Sequence, residues 1–249
     1  MTALVTTTMH GCVAVVEMHG GPNNFFDEDL LRELSEAVLA VDADAAARSI
    51  VLCSEGKHFC AGAQLRGMTP ADIRRIYRHA FALFTGRRPI VAAVQGAAVG
   101  GGLGLALAAD FRVAGPNARF SANFARLGFH QGFGLSATLP AAVGRQRAAE
   151  LLYTGRSVSA TASYEMGLAD RLAEGDPRTE ALELAQEIAE SAPLSVAAIR
   201  ATMRRDLVSS VFAALDNEAA AQAALLETAD FKEGIDAALS RRPPKFTGT

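Results

Sequence analysis

The sequence is poor in cysteine, in positive net charge and in long apolar runs. Its 249 residues include three cysteines and carry a formal net charge of −3. Three thiols cannot all pair with one another, and Cys12 and Cys53 lie in apolar, strand-like runs, which favours reduced thiols in a cytoplasmic protein. The negative charge gives no electrostatic argument for nucleic acid as a partner. The apolar runs are too short, or too interrupted by charge, to span a bilayer, so no membrane segment is expected.

Two further absences concern targeting and metal binding. Residues 1–8 contain no basic segment followed by a long apolar stretch, so we expect no secretory signal peptide. Cys53, His58 and Cys60 have a spacing that matches no standard zinc site, and no fourth ligand lies nearby in the sequence. The sequence therefore predicts no bound metal.

Hydrophobic periodicity divides the chain into a mixed α/β part and a helical part. Half of the residues are hydrophobic, which is enough for one large domain or a core with an appendage. Alternating strand and helix patterns predict parallel strands with right-handed crossovers, and the segment after about residue 141 is nearly all helical. The predicted strands are 4–8, 13–19, 49–53, 90–94 and 111–114, and the predicted helices are 27–41, 70–84, 103–109, 145–154, 159–166, 179–191, 194–207, 210–227 and 230–240.

The most informative local pattern is an apolar strand followed by the glycines of residues 100–102 and then by an apolar helix. Glycine lets the backbone approach a ligand closely, because it has no Cβ. The first amides of a helix have no internal partner and carry partial positive charge. The pattern predicts a place for a bound anion, or for negative charge that develops during a reaction. Tight strand–helix packing is the alternative interpretation of the glycines.

Several segments, in the same order along the chain, resemble motifs of the crotonase (enoyl-CoA hydratase/isomerase) superfamily. Residues 56–65 resemble the pattern G-x-x-F-x-A-G-x-D-L, with Gln64 in place of the aspartate, and residues 89–102 resemble P-x-x-A-x-x-G-x-x-x-G-G-G. The remaining matches are 155–160, 166–170, 230–235 and 241–246. The resemblance covers nearly the whole chain.

The resemblance implies an α/β fold built as a spiral of ββα units. It implies a core over residues 1–190 and a C-terminal helical region over 191–249 that forms trimers, often paired into hexamers. It also implies an acyl-CoA thioester as the ligand, with coenzyme A arriving as part of the substrate rather than as a separate cofactor. In the family, two backbone N–H groups hold the thioester oxygen, and these map to Ala63 and Gly101.

This mapping agrees with the physical chemistry of the glycine-rich loops. Two fixed amides would stabilise the charge that collects on the thioester oxygen as an enolate or a tetrahedral species forms. Aromatic residues nearby would make the acyl pocket apolar, and two basic residues are candidates for coenzyme A phosphates. The substrate-binding candidates are Gly62, Gln64, Leu65, Arg66, Gly100, Phe124, Phe129, Gln131, Phe133 and Lys245.

The chain departs from the family's hydratases at the residues that move protons. The two hydratase glutamates fall at Gly104 and Phe124, and an aspartate used by related isomerases falls near Gly132. His130 is the candidate acid or base in their place, because imidazole titrates near neutral pH. A loop histidine that bonds to backbone is the alternative. Tyr77, on the predicted helix 70–84, is expected to be a packing or surface residue.

Three functional hypotheses follow. The first is an acyl-CoA enzyme, nominally an enoyl-CoA hydratase/isomerase, that stabilises an enolate at Ala63 and Gly101. The second is a decarboxylase, isomerase or thioester hydrolase of the same fold, since loss of CO2 needs the oxyanion hole but less acid–base apparatus. The third is a binder of CoA thioesters without catalysis, which the missing carboxylates favour and the glycine loops disfavour.

Overall fold

A computed structural model describes residues 3–249. Its strands form two sheets. The strands are β1 (Val5–His10), β2 (Val13–Met18), β3 (Ser49–Ser54), β4 (Ile90–Val94), β5 (Ala97–Val99), β6 (Phe111–Ala114), β7 (Arg119–Ser121), β8 (Ser157–Ser159) and β9 (Arg171–Leu172). The larger sheet has the order β1-β2-β3-β4-β6-β9, and the smaller one has the order β5-β7-β8. The β1–β2 hairpin is antiparallel, and the other pairs of the larger sheet are parallel.

The predicted strands of the larger sheet are confirmed, with ends that differ by one or two residues. The prediction that strand 90–94 runs directly into the glycines is wrong. The chain leaves the larger sheet after β4 and forms β5 in the smaller sheet before the glycines begin. A three-residue strand is too short for hydrophobic alternation to reveal it.

The helices pack around these sheets. They are α1 (Glu28–Ala43), α2 (Pro70–Thr85), α3 (Gly101–Ala108), α4 (Leu135–Val143), α5 (Arg145–Thr154), α6 (Ala160–Glu165), α7 (Pro177–Ala189), α8 (Pro193–Leu225) and α9 (Ala229–Leu239), with a short 3-10 helix over Asn123–Leu127. The sequence analysis assigned no helix to α4. The predicted domain boundary at residue 190 falls between α7 and α8.

The helix starts follow local side-chain chemistry. Asp27 accepts a hydrogen bond from the Leu30 amide at the start of α1. Thr69 and Asp72 form a reciprocal capping box at the start of α2, where Pro70 occupies the first turn. These contacts satisfy backbone donors that have no partner inside the helix, so both starts could be located from sequence.

Helix α8 corrects the sequence prediction of two helices, 194–207 and 210–227. It is one continuous helix of 33 residues. The sequence predicts a short polar turn between the two predicted helices, which includes Ser209 and is followed by Ser210. Their hydroxyls instead donate to the carbonyls of Arg205 and Asp206, one turn earlier, at 3.1 and 2.8 Å. The helix thereby accommodates both serines without interruption.

The central strands of the larger sheet are buried on both faces. In β3, Ile50 and Leu52 belong to the larger apolar cluster, whereas Val51 and Cys53 belong to a smaller one beneath α7. Successive side chains of a strand point to opposite faces, so a strand covered on both sides is apolar throughout. This explains why β3 and β4 are continuous hydrophobic runs in the sequence.

The cysteines are free thiols. Cys53 and Cys60 are buried, and Cys12 is partly exposed. Burial raises the pKa of Cys53 to about 12 and that of Cys60 to about 12, so both stay protonated at neutral pH. They are therefore unreactive as nucleophiles.

Helix α8 is attached to the sheet by a buried ion cluster. Arg200 Nε lies 2.9 Å from Asp110 Oδ2, and Arg204 Nη1 lies 2.9 Å from Asp110 Oδ1. Only 7% and 10% of the two arginine side chains are exposed. Asp110 also accepts a hydrogen bond from the Ile90 amide at the start of β4. One carboxylate thus joins the long helix to the central strands.

The C-terminal tail is held to α9 by two carboxylates. Glu233 pairs with Arg242 and accepts a hydrogen bond from the Lys245 amide, and these contacts lower its pKa from 4.5 to about 2. Asp230 accepts from the amides of Thr247 and Gly248, which lowers its pKa as well.

We expect the tail to detach in acid. A carboxyl whose pKa is depressed in the folded state stabilises that state above its unfolded pKa. The contribution of Glu233 is therefore present above about pH 4.5 and is lost as the pH falls towards 2. Amide hydrogen exchange at Lys245 and Thr247 should accelerate over this range relative to core amides, after correction for intrinsic rates. Equal protection at pH 5 and pH 2.5 would contradict the expectation.

No helix within residues 3–249 is both long enough and apolar enough to cross a membrane.

Candidate functional site

A cavity of about 520 Å³ lies beside the loop that follows β3 and the turn between β5 and α3. Helix α2, the 3-10 helix and helix α9 complete its walls. Aromatic rings provide much of the lining, from Phe25, Phe26, Phe124, Phe129 and Phe133. The polar side chains that line it are Gln64, Arg66, Tyr77, Asn123 and Gln222. Such a lining excludes water from most of the cavity and strengthens electrostatic interactions inside it.

Backbone hydrogen bonds fix the two glycine-rich loops against each other. The Cys60 amide donates to the carbonyl of Ala97 at 2.9 Å, and the Val99 amide donates to the carbonyl of Cys60 at 3.0 Å. A Cβ on Gly102 would lie 2.1 Å from the Cys60 carbonyl oxygen. Only glycine permits this approach, so the spacing of the loops depends on residue 102.

Ala63 and Gly101 both line this cavity. The Phe26 amide donates to the carbonyl of Gly62, and the Phe26 carbonyl accepts from the amide of Gln64. The amide of Ala63, which lies between these two residues, has no such bond. Gly101 is the first residue of α3, whose N-cap is also a glycine. Neither N–H donates to an acceptor within residues 3–249. Two residues with unbonded backbone donors thus line one cavity from separate turns.

Most of the predicted site residues line the cavity. They are Gly62, Ala63, Gln64, Leu65, Arg66, Gly100, Gly101, Phe124, Phe129 and Phe133. The loop after β3, the β5–α3 turn and the segment around the 3-10 helix therefore converge, as the sequence predicts. The roles of these residues in binding or catalysis stay predictions.

Three predicted residues do not line the cavity. The ring Nδ1 of His130 donates to the carbonyl of Gln131 at 2.7 Å, so the imidazole is engaged with backbone. The Gln131 side chain donates to the Ser136 hydroxyl at 3.1 Å. Lys245 is exposed in the C-terminal tail, where its amide is bound to Glu233. The expectation that His130 and Gln131 face the acyl group is not met, because local hydrogen bonds hold both side chains elsewhere.

The positions expected for hydratase glutamates carry no acid. A Cβ on Gly104 would lie 2.5 Å from the Cβ of Phe133, so that side chain occupies the space beside Gly104. Phe124 places its ring in the cavity wall. Within residues 3–249, no aspartate, glutamate or histidine lines the cavity. Its lining therefore offers no obvious general base.

A buried polar pair in the wall was not predicted from the sequence. The Tyr77 hydroxyl donates to Gln222 Oε1 at 2.7 Å. Burial, with the nearby charge of Glu218, raises the pKa of Tyr77 far above its ordinary value. The hydroxyl therefore stays protonated at neutral pH and acts as a donor rather than a base. Sequence offered no signal for this pair, because its members are 145 residues apart.

Glu218 is a buried acid that lies outside the cavity lining. Its carboxylate accepts from the amides of Gly134 and Ser136, each at 2.8 Å, and so satisfies the start of α4. Burial raises the pKa of this carboxyl. Its position indicates a structural role in holding the loop that carries Phe133.

Comparisons with known proteins agree with this fold. The chain belongs to the enoyl-CoA hydratase/isomerase family, whose sequence pattern matches residues 8–249. The predicted resemblance to the crotonase superfamily is thereby confirmed, and so is the α/β fold class. Helical trimerisation stays a prediction.

Individual relatives are similar over most of their length. An enoyl-CoA isomerase/hydratase of Mycosarcoma maydis is 37% identical over 213 residues, which cover 81% of this chain and 77% of that protein. A crotonyl-CoA hydratase of Syntrophomonas wolfei is 32% identical over 232 residues, which cover 90% of this chain and 89% of that protein. The crystal structure of an enoyl-CoA hydratase/isomerase from Pseudoalteromonas atlantica superimposes with a TM-score of 0.90 at 28% identity, over 98% of this chain and all of that chain.

Proposed function

We propose that this protein binds an acyl-CoA thioester in the cavity and stabilises its enolate with the amides of Ala63 and Gly101. The observation that carries the proposal is that Ala63 and Gly101, whose N–H groups are unbonded, line the same apolar cavity. Donors fixed in a water-poor site stabilise developing oxyanion charge without reorganisation, and each is typically worth about 3 kcal/mol. Relatives named for enoyl-CoA and crotonyl-CoA support an acyl-CoA as the substrate.

The lining favours reactions that form an enolate without a protein base. In the decarboxylation of a thioester with a carboxylate on its α carbon, the bond to that carboxylate breaks and CO2 leaves. The bonding electron pair becomes the enolate, which the two amides would hold until water protonates the α carbon. Because no carboxylate or imidazole lines the cavity within residues 3–249, we propose decarboxylation as the second candidate. Addition of water by two carboxylates is not supported, because the lining contains neither carboxylate.

A panel of thioesters tests these alternatives. Crotonyl-, malonyl-, 3-oxobutanoyl- and benzoyl-CoA would be titrated calorimetrically, and the products would be identified by mass spectrometry. Turnover of crotonyl-CoA to the hydroxyacyl product would support hydration, and release of CO2 from malonyl-CoA would support decarboxylation. Binding without turnover would support the non-catalytic binder, and no binding would contradict the proposal.

Replacing Gly101 with alanine should disable the oxyanion site. The new Cβ would lie 2.5 Å from Cζ of Phe26, so the turn or the ring must move. Displacement of one donor is expected to lower kcat/KM about 100-fold, or acyl-CoA affinity similarly if turnover is absent. Steady-state kinetics or calorimetry measures the effect.

A second substitution provides the control for this prediction. Phe26→Ala removes the ring that the new methyl group would meet, so the double variant Gly101→Ala/Phe26→Ala should recover part of the loss. Unchanged activity in the Gly101→Ala single variant, whose melting temperature shows that it is folded, would place the oxyanion site elsewhere.

The assembly and cellular location stay proposals of the sequence analysis. We propose a homotrimer or a hexamer in the cytoplasm. Exposed apolar side chains along α8 support the assembly, including Leu194, Ile199 and Met203, which are 76%, 62% and 77% exposed. Light scattering of the purified protein would measure the mass of the particle.

A further inference from the structure

The Tyr77–Gln222 pair has a defined hydrogen-bond orientation. Gln222 Nε2 lies 2.9 Å from the carbonyl oxygen of His130, which can only accept a hydrogen bond. The amide nitrogen must therefore face His130, and Oε1 must face the Tyr77 hydroxyl at 2.7 Å. This arrangement uses the hydroxyl proton and one of the two Nε2 hydrogens. The second Nε2 hydrogen has no acceptor within residues 3–249.

Gly132 makes room for the pair at the cavity wall. A Cβ at that position would lie 1.9 Å from the Tyr77 hydroxyl oxygen and 2.6 Å from Gln222 Nε2. Gln222 is only 4% exposed, so water reaches its amide poorly. A buried donor without a partner is unfavourable, and an acceptor on a bound ligand would relieve that cost. Tyr77 and Gln222 line the same cavity as Ala63 and Gly101, so the pair faces the proposed thioester site.

We propose that Tyr77 and Gln222 select an acyl group that carries an oxygen acceptor, which receives the second Nε2 hydrogen of Gln222. Tyr77 is the positioning residue, because its hydroxyl fixes the orientation of the amide. The proposal rests on the proposed function, since it assumes that the acyl chain occupies this cavity. The aromatic walls would hold the hydrocarbon part of the chain, and the pair would distinguish an oxygenated chain from a plain one.

Matched six-carbon thioesters test the proposal. Dissociation constants of hexanoyl-, 3-oxohexanoyl- and 5-oxohexanoyl-CoA would be measured calorimetrically with the wild-type protein and with Tyr77→Phe and Gln222→Met. We expect the wild type to bind at least one keto thioester roughly 10-fold more tightly than hexanoyl-CoA, the value of one well-made hydrogen bond. Both variants should lose that preference while they still bind hexanoyl-CoA. Tyr153→Phe is the matched control, because Tyr153 is 80% exposed, and it should keep the preference.

The outcomes separate this inference from the proposed function. If no thioester binds to the wild type, the proposed function and the selection of oxygenated chains are both overturned. If hexanoyl-CoA binds as tightly as both keto thioesters, only the selection of oxygenated chains is overturned. Folded Tyr77→Phe and Gln222→Met proteins that keep the preference for keto thioesters would also overturn this selection. The preference would then not depend on a hydrogen bond from the pair.

Discussion

Replacing Asp110 with alanine is expected to lower the free energy of unfolding by about 3–5 kcal/mol. The substitution removes the carboxylate that Arg200 and Arg204 share, and both guanidinium groups are almost fully buried. Burial already lowers the pKa of Arg204, which shows that its charge is held at a cost that Asp110 offsets. Urea denaturation followed by circular dichroism measures the loss.

An exposed acid on α8 provides the matched control. Asp206 is 93% exposed and pairs with Arg205 at 3.4 Å. Asp206→Ala should change the free energy of unfolding by less than about 1 kcal/mol, because exposed ion pairs contribute little. If Asp110→Ala cost no more than this control, the arginines would not depend on the carboxylate.

Gly102→Ala should damage both stability and the candidate site. The new Cβ would meet the Cys60 carbonyl oxygen at 2.1 Å, and that oxygen already accepts the Val99 amide. Backbone cannot rotate away as a long side chain can, so the two loops must separate. We expect a loss of about 3 kcal/mol in the free energy of unfolding, together with loss of acyl-CoA binding. Thermal unfolding and calorimetry measure the two effects.

Gly175→Ala is the control for this substitution. A Cβ at residue 175 would meet no atom within 4 Å, and the residue needs no left-handed backbone. This variant should behave as wild type in both measurements. Wild-type affinity in Gly102→Ala would show that the loops tolerate separation and that the glycines do not define the site.

The sequence predicted the parts of the fold that local chemistry determines. The capping residues Asp27 and Thr69 mark the starts of α1 and α2. The buried strands of the larger sheet are continuous apolar runs, so their positions were also recoverable. The alternation of strands and helices placed both glycine loops after parallel strands, and the resemblance to the family added which amides would act together.

The errors came from side-chain contacts, some between neighbouring residues and some between distant segments. Helix α8 continues through two serines that a local reading treats as a break, because its face is packed against α2 and α4 along the chain. His130 was expected in the acyl pocket, but the carbonyl of Gln131 holds its ring. Tyr77 was expected to be a packing or surface residue, because its hydrogen-bond partner Gln222 is 145 residues away in the sequence. Hydrogen bonds of this kind have no periodicity to detect.

Because α8 is continuous, one helix carries residues of both the buried ion cluster and the cavity wall. Arg200, in the buried ion cluster, and Gln222, in the cavity wall, are about 33 Å apart along one uninterrupted axis. Both sites are therefore attached to the same element, although Arg200, Arg204 and Asp110 do not line the cavity. Variants of the ion cluster therefore call for a measurement of ligand affinity beside the measurement of stability, because the same helix carries Gln222.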